Sequence, residues 1–74
     1  MPKLVEFLEG IENIGTLDGQ EVGGWTEVSV VHNDACICSA TLEDILSSDM
    51  DCLDYEVASH QFGDDDILEV TLKS

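Results

Sequence analysis

The sequence predicts an α+β domain of two layers, an antiparallel four-stranded sheet with two helices on one face, in the order α-β-β-α-β-β over residues 1–74. Three observations carry that expectation. Apolar residues recur every three to four positions near the start and again after residue 41. The period changes to two from Trp25 to Ala40 and from Tyr55 to Lys73. The stretches between are rich in Gly, Asn and Asp, which turn the chain. Hairpins of alternating strands bury one face only, and helices are its natural cover.

The elements follow in order. PKLVEFLEGIENI, 2–14, sets Leu4, Phe7, Leu8, Ile11 and Ile14 on one stripe and Glu6, Glu9 and Glu12 on the other, the pattern of an amphipathic helix. Pro2 suits its first turn and Gly10 weakens its middle. GTLDGQEVGG, 15–24, holds four of the six glycines and reads as a loop with a short strand around Gln20 to Val22. WTEVSVVH and ACICSA form a hairpin across Asn33-Asp34. That turn sets Val30 opposite Ile37 and Val31 opposite Cys36, so that Val28, Val30 and Ile37 share an apolar face.

TLEDIL, 41–46, opens a second, short helix. Thr41 accepts from the amide three residues on, Glu43 and Asp44 favour the positive end of the helix dipole, and Leu42, Ile45 and Leu46 supply the buried side. DYEVASHQF and ILEVTLK then give a second hairpin. A turn centred on Asp64-Asp65 pairs Val57 with Leu72 and Ser59 with Val70, and Tyr55 joins Val57 on one face. The opposite face of the sheet carries Glu27, Ser29, Glu56, His60, Glu69 and Thr71. Trp25 is expected at the edge of the core.

Composition bounds the function. An apolar fraction of 43% argues against simple disorder, and the 74 residues leave room for one domain with a modest core. Seventeen acids stand against two lysines, Lys3 and Lys73, with no arginine and a formal net charge of -15. Direct binding to nucleic acid or to an anionic membrane needs the opposite sign. The start MPKLVEFLEG lacks a basic segment followed by a long apolar one, so no signal peptide is expected. Three cysteines, an odd number, point to free thiols in a reducing cytoplasm.

Four constellations could carry chemistry. Cys36, Cys38 and Cys52 with His32 and His60 offer zinc ligands, yet C-x-C on a strand points both sulfurs to one face about 7 Å apart, unlike a zinc knuckle. Cysteine catalysis needs an electropositive setting, and this field is negative. Asp49, Asp51 and Asp54 alternate like calcium ligands but lack the closing glutamate. Paired carboxylates arise by chance among so many acids, and the chain is short for the substrate cleft a hydrolase needs. The glycines of GTLDGQEVGGW precede no Lys-Ser or Lys-Thr, so no phosphate loop forms. A non-enzymatic chain without cofactor or metal is the expectation.

What remains is the charge. Acidic surface serves solubility, as in halophilic proteins, or a plain interaction module, which could be a homodimer; a small zinc-stabilised Cys/His domain is a further alternative. The sharper reading is mimicry, in which carboxylates spaced two or three residues apart meet the Lys and Arg of a nucleic-acid groove. LDYEVASHQF followed by DDDILEVTLK, with the size, the missing arginine and the helix-then-hairpin plan, resembles small acidic proteins of bacteriophages and mobile elements. Several of those, anti-CRISPR proteins and restriction-enzyme inhibitors among them, act as DNA mimics. The resemblance implies a basic nucleic-acid-binding partner, such as a CRISPR or restriction nuclease, and action in the host cytoplasm. The candidate partner-binding residues are Asp49, Asp51, Asp54, Glu56, Asp64, Asp65, Asp66 and Glu69, with Glu27 added from the sheet face.

Overall fold

Local chemistry sets the first helix. In the computed structural model, which describes residues 2–63 and 65–73, α1 spans Leu4–Ile14. Lys3 is the extended residue before it, and its backbone N–H donates to the Glu6 carboxylate at 3.2 Å. Pro2 therefore stands outside the helix rather than in its first turn. Its carbonyl accepts from Val57 N–H at 2.9 Å, and Leu4 N–H donates to the Tyr55 carbonyl at 2.8 Å, so the start of the chain is tied to the segment entering a strand. Gly15, at φ 83°, closes the helix by donating to the Ile11 carbonyl. Leu4, Leu8 and Ile11 are buried as the stripe requires, whereas Ile14 is 72% exposed because the helix ends at it.

The glycine-rich segment is more ordered than a loop. Strands β1 (Thr16–Leu17) and β2 (Gln20–Glu21) form a tight hairpin across Asp18 and Gly19, both at positive φ. The larger hairpin follows, β3 (Glu27–His32) and β4 (Ala35–Thr41), turning at Asn33 and Asp34, again both at positive φ as a two-residue turn of this kind demands. Helix α2 spans Leu42–Leu46, and Thr41 Oγ1 accepts from Asp44 N–H at 3.4 Å. A 3-10 turn, Asp51–Asp54, leads to β5 (Val57–Phe62), and β6 (Leu68–Leu72) follows.

The fold is α+β, but the four-stranded sheet is mixed rather than antiparallel. Its order is β4-β3-β6-β5, with β3 and β6 parallel and both outer pairs antiparallel. Period-two alternation is the same in either orientation, so it could not distinguish them. Burial explains the choice. Leu68, Val70 and Leu72 make β6 the more apolar partner, and it takes the centre beside β3; β5, with Ser59, His60 and Gln61, takes the edge.

Two bulges revise the expected registers. Val31 pairs with Cys36 as predicted, yet Val30 pairs with Cys38, which leaves Ile37 unpaired and 45% exposed rather than on the apolar face. In the second hairpin Val57 meets Leu72, but His60 rather than Ser59 meets Val70, because Ala58 is the extra residue. His60 consequently leaves the outer face. Its ring lies 5.1 Å from that of Phe7 on α1, and its Nε2 is 3.3 Å from the Asp18 carboxylate. Tyr55 and Glu56 precede β5, where Tyr55 is exposed and its ring lies 5.1 Å from that of His32.

The core forms where the helices meet the inward face of the sheet. Leu4, Leu8 and Ile11 of α1 and Leu42 and Ile45 of α2 pack with Val28, Val30, Val57, Leu68, Val70 and Leu72, joined by Val22 and Cys52. Leu42→Ala should cost about 2–5 kcal/mol in denaturant unfolding, as for any fully buried leucine. At Gly10 a methyl group would meet nothing within 4 Å, so Gly10→Ala should stabilise by about 0.5–1 kcal/mol in the same measurement.

Candidate functional site

The two lysines lie at the same end of the sheet. Strand β3 runs from Glu27 to His32 and β6 runs beside it from Leu68 to Leu72. Lys73 therefore emerges at the His32 end, where its Nζ lies 3.8 Å from Glu56 and its N–H donates to the Glu56 carbonyl at 2.8 Å. Lys3 pairs with the same Glu56 through the backbone, in an isolated antiparallel β-bridge. Both lysines thus gather at one end, and Glu56, counted among the partner-binding acids, already faces one of them.

The opposite end carries a cleft of about 720 Å³. Its making begins with Gly23-Gly24-Trp25-Thr26. Thr26 is buried; its Oγ1 accepts from Gly23 N–H at 3.0 Å, and its own N–H donates to the Gly23 carbonyl at 3.0 Å. The turn is strapped to α2, because Leu42 N–H donates to the Thr26 carbonyl at 2.8 Å and Glu43 N–H to that of Gly24 at 3.2 Å. The six-membered ring of Trp25 lies over Gly23, where any Cβ would collide with it. Trp25 is nevertheless 68% exposed, so it is not a core edge: the closed turn beneath holds the indole outward.

Three segments wall this cleft. Glu21 comes from the β1–β2 hairpin, Trp25 from just before β3 and Glu27 from its start, and Phe62 from the end of β5 with Asp65, Asp66 and Ile67 from the connection to β6. That connection is held by Gly63 N–H donating to the Ile67 carbonyl at 2.9 Å and Asp66 N–H to that of Gly63 at 3.2 Å. Asp66 sits at φ 60°, where Asp is among the tolerated residues. Glu69 lies on the adjoining outer face, accepting from Gln61 Nε2 at 3.3 Å, in a smaller hollow that also includes Asp65.

The predicted acids accordingly divide. Glu27, Asp65 and Asp66 meet at the cleft with Glu69 beside them, whereas Asp49, Asp51 and Asp54 belong to the approach and body of the 3-10 turn, which leads toward the His32 end. Asp64 lies outside the described residues. Sequence reasoning missed Glu21 and the role of Trp25; the signal available was the Gly-Gly pair immediately before the tryptophan.

The thiols and imidazoles disperse. The bulge at Ile37 turns Cys36 and Cys38 to opposite faces rather than one: Cys36 Sγ is 3.2 Å from Ser29 Oγ on the outer side, while Cys38 packs against the core. His32 and His60 contact Tyr55 and Phe7 respectively. Among the described residues no three of His, Cys, Asp and Glu are grouped to hold a metal ion. Burial pushes the Cys52 thiol above its ordinary 9.0, with Cys38 and Asp51 nearby adding to the effect against a backbone hydrogen bond that lowers it. Among the described residues no helix is long and apolar enough to cross a membrane. No family model, no curated protein and no solved structure matches the chain.

The thiol environments give a joint prediction. Titration with a thiol reagent at neutral pH should modify exposed Cys36 in the native protein and buried Cys52 only on unfolding. Because the Cys52 thiol ionises later in the folded chain than in the unfolded one, its contribution to stability is complete below pH 9.0 and is lost as pH rises above it. Urea unfolding at pH 8 and pH 10 should show that decline, and Cys52→Ala should reduce it.

Proposed function

We propose that this protein is a non-enzymatic acidic inhibitor that occupies the basic nucleic-acid-binding groove of a host defence nuclease, or a similar protein, in place of DNA or RNA. The observation that carries the reading is charge density. The molecule is 28 Å along its longest axis and bears a formal net charge of -15. B-form DNA carries one negative charge per 1.7 Å of axis, or about 16 over the same length. A groove that neutralises a duplex meets a comparable charge here.

The disposition of the acids supports the same reading. Every described Asp and Glu is exposed except Glu69, which is half-buried. Among the described residues only Glu56, with Lys73, and Asp18, with His60, lie within ion-pair distance of a basic side chain. The other described carboxylates have no such contact inside the molecule, so they are left to act on a partner. Their field would steer a cationic surface into encounter and weaken as salt screens it. In this reading the protein acts in the cytoplasm of the host cell.

The test is a gel-shift competition against a panel of guide-loaded CRISPR nucleases and restriction enzymes, each with its own DNA. Release of DNA from at least one enzyme at 50 mM salt, fading by 300 mM, is the expected result. Asp49→Asn, Asp51→Asn and Asp54→Asn combined should reduce the competition while leaving the circular dichroism spectrum unchanged. Failure to displace DNA from any enzyme at low salt, or displacement indifferent to salt, would count against mimicry and leave the charge to solvation.

A further inference from the structure

We infer that the Trp25 cleft is an arginine-binding site, which takes the side chain of an arginine presented by a basic partner protein. Shape and chemistry argue it together. The cleft offers an aromatic wall, the 68% exposed indole, that Gly23 and the buried Thr26 hydroxyl support from below. Phe62 and Ile67 extend the apolar wall, and the acids of the lining are Glu21, Glu27, Asp65 and Asp66. A planar, weakly hydrated guanidinium stacks on such a ring while its five donors reach carboxylates around it. An ammonium is more strongly hydrated and gains less from the ring.

The occupant must come from outside. The chain has no arginine, and its two lysines lie at the Glu56 end of the sheet, a strand's length away from Glu27. The volume of about 720 Å³ leaves room for the chain flanking the arginine as well as its side chain. This inference deepens the mimicry reading by naming an anchor, and it rests on that reading for the kind of partner but not for the chemistry of the cleft.

Fluorescein-labelled tetra-arginine, tetra-lysine and tetra-citrulline peptides provide the test, with anisotropy measured at 20 mM salt and the emission of Trp25, the single tryptophan, followed in parallel using unlabelled peptides. The arginine peptide should bind more tightly than the lysine peptide and shift the tryptophan emission, and the neutral citrulline peptide should not bind. Trp25→Ala should weaken the arginine peptide about threefold to thirtyfold. Two charge-matched variants separate the site from the overall field. Glu27→Gln, Asp65→Asn and Asp66→Asn together should weaken arginine binding more than Asp49→Asn, Asp51→Asn and Asp54→Asn together. Equal losses in the two variants, equal affinity for lysine and arginine, or no binding by the wild type would each overturn the arginine site. None of these would touch the mimicry reading, which stands or falls on displacement of DNA.

Discussion

Eight aliphatic side chains, Leu4, Leu8, Leu42, Ile45, Leu68, Val28, Val30 and Val70, are wholly buried between two helices and the two central strands, and every other feature depends on that contact. The chain has few other means of cohesion: no disulfide joins its cysteines, and its ion pairs lie at the surface, where each contributes little. Each buried aliphatic residue is worth about 1.5–3 kcal/mol. The acids oppose this by mutual repulsion, which is tolerable because they remain in water, where screening and high dielectric keep each pairwise term small. The fold therefore separates its tasks by depth, with cohesion inside and charge outside.

The parallel pairing of β3 and β6 has consequences for the surface. It aligns the beginnings of both strands at one end, so the loop entering β3 and the loop entering β6 stand side by side. Trp25 and Glu27 arrive by the first, Asp65, Asp66 and Ile67 by the second. The same alignment places His32, the last residue of β3, and Lys73, which follows β6, at the other end, near Glu56. The acid-rich cleft and the place of Lys73 are thus two results of one pairing, while Lys3 reaches the same end through its β-bridge with Glu56.

The bulges act at the level of single side chains. In β4 the extra residue Ile37 separates Cys36 from Cys38, and in β5 the extra residue Ala58 brings His60 round to Phe7 and Asp18. Each is a local insertion on an edge strand, where an unpaired residue disturbs the ladder least and also discourages pairing with another chain. Neither disturbs the inward set of β3 and β6, so the core retains its alternation.

Much of this protein is legible in its residues alone. The stripe of α1, the Thr41 cap of α2, the Asn33-Asp34 turn and the alternation of four strands are short-range matters of period, capping and turn chemistry, and they specify an α+β chain with an acidic surface. Long-range choices are not written in that form. Which hairpin strand lies beside β3 depends on comparing the burial of β5 and β6 against partners distant in sequence, and a bulge is invisible to a strict period of two. The division of the acids between the Trp25 cleft and the 3-10 turn follows from that pairing. Composition determined how much negative charge the protein carries; only the tertiary structure decided that Glu21, Glu27, Asp65 and Asp66 meet around one exposed indole, because their proximity arises from packing of the sheet and not from spacing along the chain.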